Sequence, residues 1–396
     1  MDITISPRLL RGELQIIPSK SQAHRLLICA AFADRPTQIH CPEVNRDIEA
    51  TADCLRSLGA EIIRTDSGYT VLPVSNVPKT ADLNCCESGS SLRFLLPVVG
   101  ALGVDAQFRM EGRLPERPLS PLWEEMERMG CSLSRPAPET IRCRGKLRPG
   151  AYRIDGGVSS QFITGLLFAL SIMDGVSTLD ITGTIESKPY IDLTNQALAI
   201  FGVDPTNPGA KKLRSPGYIA VEGDWSNGAF FLAAQRLGSE LSIHGLRQDS
   251  RQGDRAVVHI MEQLEGGSPV ISAGDIPDLV PILSVVAAAN HGAVFTDIRR
   301  LRIKESDRVA STIAMLEALG GKAEATENSL TVFPARFHGG VVDACNDHRI
   351  AMSAAIAATV SHGPVTILGA ECVKKSYPGF WEEYQKLGGV YEQYLR

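Results

Sequence analysis

Two helix-length patterns alternate along this 396-residue chain, with strand-like runs between them. The first pattern is amphipathic, with apolar residues at three- and four-residue spacing and a small-residue turn at its end. It recurs six times: ATADCLRSLGAEI (50–62), LWEEMERMGCSL (122–133), LTNQALAIFGV (193–203), AVVHIMEQLEGG (256–267), ASTIAMLEALGGKAE (310–324) and FWEEYQKLGGVYE (380–392). Gly59, Gly130, Gly202, Gly266, Gly320 and Gly388 fall where a helix C-cap belongs, at spacings of 71, 72, 64, 54 and 68. The second pattern opens on polar residues and then turns almost wholly apolar, starting at Ser21, Ser88, Ser159, Ser226, Asp278 and Asn346. Helices apolar on all sides are buried ones, and Ser, Asp and Asn at their starts are good N-caps.

Runs such as TQIHCP, GYTVLPV, STLDITG, AVFTDI, SLTVFPA and PVTILGA predict strands between the helices. The repeating unit is a mixed α/β module with one buried helix, one amphipathic helix and several strands. Six modules are too many for one core, so the expected grouping is two domains of three modules. A boundary is predicted near VEGDWSNG, around residue 223.

Bulk composition narrows the function classes. The net charge of −5 argues against a general nucleic-acid or membrane-surface binder, so an anionic ligand would need a local basic cluster. Nine Cys without a C-x-x-C pair fit neither a disulfide framework nor a zinc ribbon, and predict reduced thiols in a cytoplasmic protein. The opening MDITISPRLLRGELQI reads as a strand of the mature fold, with no apolar leader core. The longest apolar run, LVPILSVVAAA, is too short to span a bilayer.

Candidate chemistry sits at the starts of the apolar helices, where unpaired N–H groups and positive dipole ends favour anions. Lys20, Ser21 and Arg25 flank one start in PSKSQAHR, and SSQF (159–162) opens another. Arg349 lies in the first turn of NDHRIAMSAAIAATV, where a cation opposes the dipole and needs a reason such as a carboxylate. Asp278 at the start of its apolar helix reads first as an N-cap. Arg113 and Arg117 share the Pro-rich EGRLPERPL, Lys374 and Lys375 precede the last helix, and LRIKESDR (301–308) holds five charges in eight residues. By themselves these are solvated charges as readily as a site.

Taken in order, PSKSQAHR, ESGSSLR, GRLPERP, SSQF, SKPYID, KESDR, NDHRIAM and KKSYPGF resemble the 5-enolpyruvylshikimate-3-phosphate synthase family across nearly the whole chain. The resemblance implies an inside-out α/β barrel fold with buried parallel helices. It implies an N-terminal domain over 15–223, and a C-terminal domain of 1–14 plus 224–396 that takes in the opening strand, with the active site in the cleft between them. It implies transfer of the enolpyruvyl group of phosphoenolpyruvate to the 5-hydroxyl of shikimate 3-phosphate, with release of phosphate, by addition and elimination through a tetrahedral intermediate. The resemblance implies that no metal and no cofactor take part. The partners are then these two small molecules, with no nucleic acid and no membrane, and the protein is expected to be a monomer.

By motif match, Lys20, Arg113 and Lys375 would surround the donor phosphate. Arg308 and Arg349 would hold the donor carboxylate, with Gly89 allowing close backbone approach. Ser21, Arg25, Ser159, Ser160, Ser187 and Tyr190 would form the shikimate 3-phosphate shell, and Gln161 would sit between the substrates. Asp278 and Lys304 would reach the ring hydroxyls, and Lys20, Asp278 and Glu305 would carry the proton transfers. Glu87 and Arg300 stand where many relatives have Asn. The nearest rival is UDP-N-acetylglucosamine enolpyruvyl transferase, disfavoured because the EGRLPERP loop has no Cys. A non-catalytic anion-binding relative is disfavoured because Lys20, Asp278 and Glu305 are all present.

Overall fold

A computed structural model describes residues 1–209 and 212–394, and divides the chain into two compact units, one of Pro18–Glu222 and one of Met1–Ile17 with Gly223–Arg396. Each unit encloses its own hydrophobic core. The unit of Pro18–Glu222 carries helices α1 (Lys20–Ala31), α2 (Arg46–Ser57), α3 (Gly89–Leu102), α4 (Leu122–Arg128), α5 (Ser160–Ile172) and α6 (Lys188–Ile200). The other carries α7 (Trp225–Arg236), α8 (Val257–Gly266), α9 (Val280–Ala289), α10 (Arg308–Ala318), α11 (His348–Ala358) and α12 (Phe380–Lys386). Odd-numbered helices are the apolar ones and are buried almost throughout, as an all-round apolar surface requires.

The sheets repeat as well. In each of four four-stranded sheets, an edge strand runs parallel to its neighbour, and two further strands follow antiparallel. The sheets of Thr80–Asn84 and of Gly340–Asp343 follow the same order. Two parallel pairs, Ala151–Asp155 with Thr178–Thr182 and Glu240–His244 with Arg11–Gln15, complete three sheets per unit among the described residues. The opening strand Asp2–Ser6 lies antiparallel between Val365–Leu368 and Val390–Tyr394, so both ends of the chain close one sheet. The mixed α/β class with one buried and one amphipathic helix per module, expected from the repeat, is the observed one.

Five of the six marker glycines, Gly59, Gly130, Gly202, Gly320 and Gly388, have positive φ, which only a residue without Cβ adopts cheaply. Gly266 departs from the pattern: it is the last residue of α8, and the extended Gly267 follows. The caps also shift. Ser88 and Ser159 cap α3 and α5 as predicted, but Ser19, Asp224 and Asp347 do so where Ser21, Ser226 and Asn346 were expected. Each of these segments offers two capping side chains within two or three residues, and only the backbone path selects one.

One close helix contact positions the site. Pro97 lacks the N–H that would bond the Arg93 carbonyl one turn earlier. That carbonyl faces Gly165 of α5, where a Cβ would stand only 2.2 Å from it. Gly165 thus lets α3 and α5 approach at the level of Arg93, one turn beyond Gln161.

Candidate active site

In the unit of Pro18–Glu222, the first turns of α1, α3 and α5 carry the polar groups. Lys20 opens α1 and pairs with Asp47 in the first turn of α2 at 2.9 Å. Gly89 opens α3, and the Arg117 guanidinium lies over it: a Cβ there would be 2.9 Å from Arg117 Nη1 and 3.1 Å from Arg93 Nη1. Arg93 Nη1 donates to Gln161 Oε1 at 2.7 Å and Nη2 to the Pro118 carbonyl at 3.1 Å. Gln161 Nε2 in turn reaches Ser90 Oγ at 3.1 Å. Two guanidinium groups over the start of one helix make a strongly electropositive spot.

Arg25, 2% exposed, is held by neutral oxygens: Thr194 Oγ1 (2.8 Å), the Tyr190 carbonyl (2.8 Å), the Ser21 carbonyl (2.6 Å) and, longer, Thr164 Oγ1 (3.5 Å). Its guanidinium also stands 5.0 Å from the Phe94 ring. Burial lowers its pKa to about 10. Ser159 caps α5 and Ser160 is its first residue, both buried. Ser187 is buried in the left-handed conformation just before α6, with Tyr190 in the first turn.

In the other unit the charges meet one another. Arg308, 1% exposed, is shared by three carboxylates: Nε donates to Asp347 (2.9 Å), Nη2 to Glu305 (2.6 Å) and Nη1 to Asp278. Arg349 Nη2 takes the second Asp278 oxygen at 3.0 Å, and Nη1 the Asp278 carbonyl at 3.1 Å. Lys304 Nζ lies 3.7 Å from Asp278. Three cations therefore face three carboxylates. Burial alone would raise the Asp278 carboxyl, but Arg349, Lys304 and Arg308 outweigh it and hold Asp278 well below the ordinary carboxylate range. Burial lowers the Lys304 ammonium to about 8, against the pull of Asp278. Burial, helped by the Asp278 charge, pushes nearby Asp254 up to about 7. Lys375 Nζ caps the Asn346 carbonyl at 3.0 Å.

Asp278 is not an N-cap: α9 begins at Val280 with Leu279 in the cap position and Pro281 in its first turn. Its carboxylate finds stronger, charge-assisted partners in the two arginines. The reason Arg349 tolerates its place at the start of α11 is the same carboxylate. Arg113, expected at the donor phosphate, is 46% exposed and paired with Glu116, while Arg117 sits over Gly89. The 3-10 turn Leu114–Glu116 between the two arginines separates them in space. Asp47, Arg93 and Asp347 were not singled out from sequence. Arg93 carried a signal, as the one charge in SGSSLRFLLPVVGAL; Asp47 looked like an ordinary first-turn acid.

Among the described residues, no group of three or more His, Cys, Asp or Glu is placed to hold a metal ion, and no helix is long and apolar enough to cross a membrane. The family profile of EPSP synthase (3-phosphoshikimate 1-carboxyvinyltransferase) matches residues 5–275 and 267–384. The 3-phosphoshikimate 1-carboxyvinyltransferase of Clostridium kluyveri is 38% identical over 99% of this chain and 98% of its own. That of Clostridioides difficile is 37% identical, over 99% and 98%. Among solved structures, EPSP synthase from Acinetobacter baumannii superposes with a TM-score of 0.80 at 23% identity, covering 99% of this chain and 100% of that one. The enolpyruvyl transferase NikO from Streptomyces tendae gives 0.78 at 19% identity, covering 99% and 98%. Both share the fold.

Proposed function

The chain belongs to the EPSP synthase family, and on that premise we propose that its two charged clusters carry the transfer of the enolpyruvyl group from phosphoenolpyruvate to the 5-hydroxyl of shikimate 3-phosphate. The reaction is an addition followed by an elimination. The acceptor hydroxyl loses a proton and attacks C2 of the donor while the vinyl methylene gains a proton. The tetrahedral adduct then loses phosphate and a methyl proton, restoring the double bond. Each step needs a positioned acid or base, and cations for two phosphates and a carboxylate.

Arg25, Ser21, Ser159, Ser160, Ser187 and Tyr190 hold the acceptor phosphate and its neighbourhood, Arg25 as a buried cation whose partners are neutral. Lys20, Arg113 and Lys375 take the donor phosphate, with Gly89 leaving room; Arg117, whose guanidinium lies over Gly89, joins them there. Arg308 and Arg349 take the donor carboxylate. Arg349 Nε, buried without a partner among the described residues, has an N–H to give. Gln161, tied to both Arg93 and Ser90, lies between the substrates. Asp278 and Lys304 reach the ring hydroxyls, and Lys20, Asp278 and Glu305 exchange the protons.

The observation that carries this reading is Arg308 shared by Glu305 and Asp278. One guanidinium fixes both proton-transfer carboxylates, so neither can rotate away during turnover. The test is phosphate release from phosphoenolpyruvate with either shikimate 3-phosphate or UDP-N-acetylglucosamine as acceptor. Release with the first alone, lost in Glu305→Gln, is expected. Release only with the sugar nucleotide would assign the sister reaction instead.

A further inference from the structure

Behind the α1, α2 and α3 starts lies a hydrogen-bond chain that the reaction does not use directly. His24 Nδ1 is 2.7 Å from Thr51 Oγ1, Thr51 Oγ1 is 2.6 Å from Ser91 Oγ, and Ser91 Oγ donates to Ser88 Oγ at 2.8 Å. All four residues are fully buried. Ser88 is the N-cap of α3 and also accepts the Ser91 N–H at 3.1 Å.

The direction of every proton follows by elimination. Each hydroxyl has a single hydrogen to donate. Ser91 spends its hydrogen on Ser88, so toward Thr51 it can only accept. Thr51 then spends its hydrogen on Ser91, so toward His24 it too can only accept. His24 must therefore donate from Nδ1. The imidazole is fixed as the neutral Nδ1–H tautomer, and its Nε2 is a bare acceptor, buried and without a hydrogen-bond partner. A second proton on Nε2 would place an imidazolium between Lys20 and Arg25 with nothing to receive its N–H. Burial, then the Lys20 and Arg25 charges, accordingly keep His24 neutral well below the ordinary histidine range.

The residues this chain joins are telling. His24 sits one turn after Lys20 and immediately before Arg25, Thr51 one turn after Asp47, and Ser88 immediately before Gly89. We propose that His24 is a positioning residue: through a one-way hydroxyl relay of Thr51, Ser91 and Ser88 it locks the first turns of α1, α2 and α3 in one mutual geometry, so that Lys20, oriented by Asp47, and Gly89 meet the donor phosphate without rearrangement. This rests on the donor-site reading above. Neutral hydroxyls suit the task, because they join the three helix starts without adding charge beside the Lys20–Asp47 pair.

Two measurements test it. On the full-length protein, 15N-edited spectra of the imidazoles between pH 5 and 9 are expected to show one histidine fixed as the Nδ1–H form, lost from the spectrum in His24→Asn. A His24 carrying its proton on Nε2, or titrating with an ordinary midpoint, overturns the relay. In steady-state kinetics Thr51→Val, which keeps shape and removes the hydroxyl, is expected to raise KM for phosphoenolpyruvate roughly tenfold with KM for shikimate 3-phosphate nearly unchanged. Thr51→Ser, which restores the hydroxyl, is expected to match wild type. Equal kinetics for the Val and Ser variants overturn the positioning role. Should Thr51→Val not fold, Ser91→Ala takes its place: the same rise in KM for phosphoenolpyruvate is expected, and kinetics equal to wild type overturn the positioning role. If wild type itself releases no phosphate, the donor-site reading has failed, while the imidazole spectrum still decides the relay.

Discussion

Arg25 and Arg308 are both buried, yet the two units treat their guanidinium groups in opposite ways. Arg308 is surrounded by Asp347, Glu305 and Asp278; burial lowers its pKa, but these carboxylates outweigh burial and raise it well above the ordinary value. Arg25 has hydroxyls and carbonyls as hydrogen-bond partners, and burial lowers it to about 10. A buried charge without a counter-ion is costly, and the cost is tolerated where a ligand will supply the missing charge. A buried charge with three counter-ions first fixes the carboxylates around it, and the N–H groups it has not given to them remain for the donor carboxylate. The first arrangement attracts a phosphate and the second holds proton-transfer groups still.

This contrast breaks most visibly at Arg308. Arg308→Met strands Asp278, Glu305 and Asp347 beside one another, and is expected to cost about 3–5 kcal/mol of stability together with activity. Thermal unfolding checks it, and a change under 1 kcal/mol would remove the counter-ion argument. Glu305→Gln keeps the shape and a hydrogen-bond acceptor for Arg308, so stability should fall far less, while turnover falls by about 10²–10⁴-fold. A turnover within threefold of wild type would take Glu305 out of the proton path.

Gly89→Ala sharpens the comparison inside the other unit. The new Cβ meets only the flexible ends of Arg117 and Arg93, so the fold should tolerate it, and Ala suits a helix better than Gly by roughly 0.5–1 kcal/mol. The guanidinium groups must move, and KM for phosphoenolpyruvate should rise about tenfold at a Tm no lower than that of wild type. An unchanged KM would mean that Arg117 does not need its place over Gly89.

The smallest effect is a pH dependence. Lys304, lowered to about 8 in the folded protein, binds its proton less tightly there than in the unfolded chain. The unfolded state holds more protons between pH 8 and the ordinary lysine range, so this group's penalty is fully present below 8 and is relieved as pH rises. Acceptor binding should show the opposite sense: KM for shikimate 3-phosphate rises above about pH 8 as the ammonium is lost. Lys304→Arg should abolish that rise, which a KM–pH profile of the two proteins would reveal.

The repeat was legible because burying six apolar helices imposes the same pattern six times, and the strand order repeats with it. Cap positions were less so, since SKS, DWS and ND each hold alternatives that only the backbone path separates. Asp278 has the sequence signature of a cap, because nothing in DIPDLVP reveals two guanidinium groups from segments 30 and 71 residues away. Arg113 and Arg117 are equivalent by composition, and the short 3-10 turn between them decides which one reaches Gly89. Arg93 could have been found by the reasoning that found Arg349, as a lone charge in an apolar helix. His24 could not, because its role depends on hydroxyls brought to it by two other helices.

The difference between the units is tested most directly by the ligand-free stability of Arg25→Met, measured by thermal unfolding beside wild type and Arg308→Met. Thr164 and Thr194 already bond each other at 2.8 Å, so removing Arg25 strands no charge. The expected result is a loss no greater than about 1 kcal/mol for Arg25→Met against several for Arg308→Met, with shikimate 3-phosphate binding lost in the former. Equal destabilisation by the two substitutions would contradict the account, because Arg25 would then be a structural charge rather than one that waits for a phosphate.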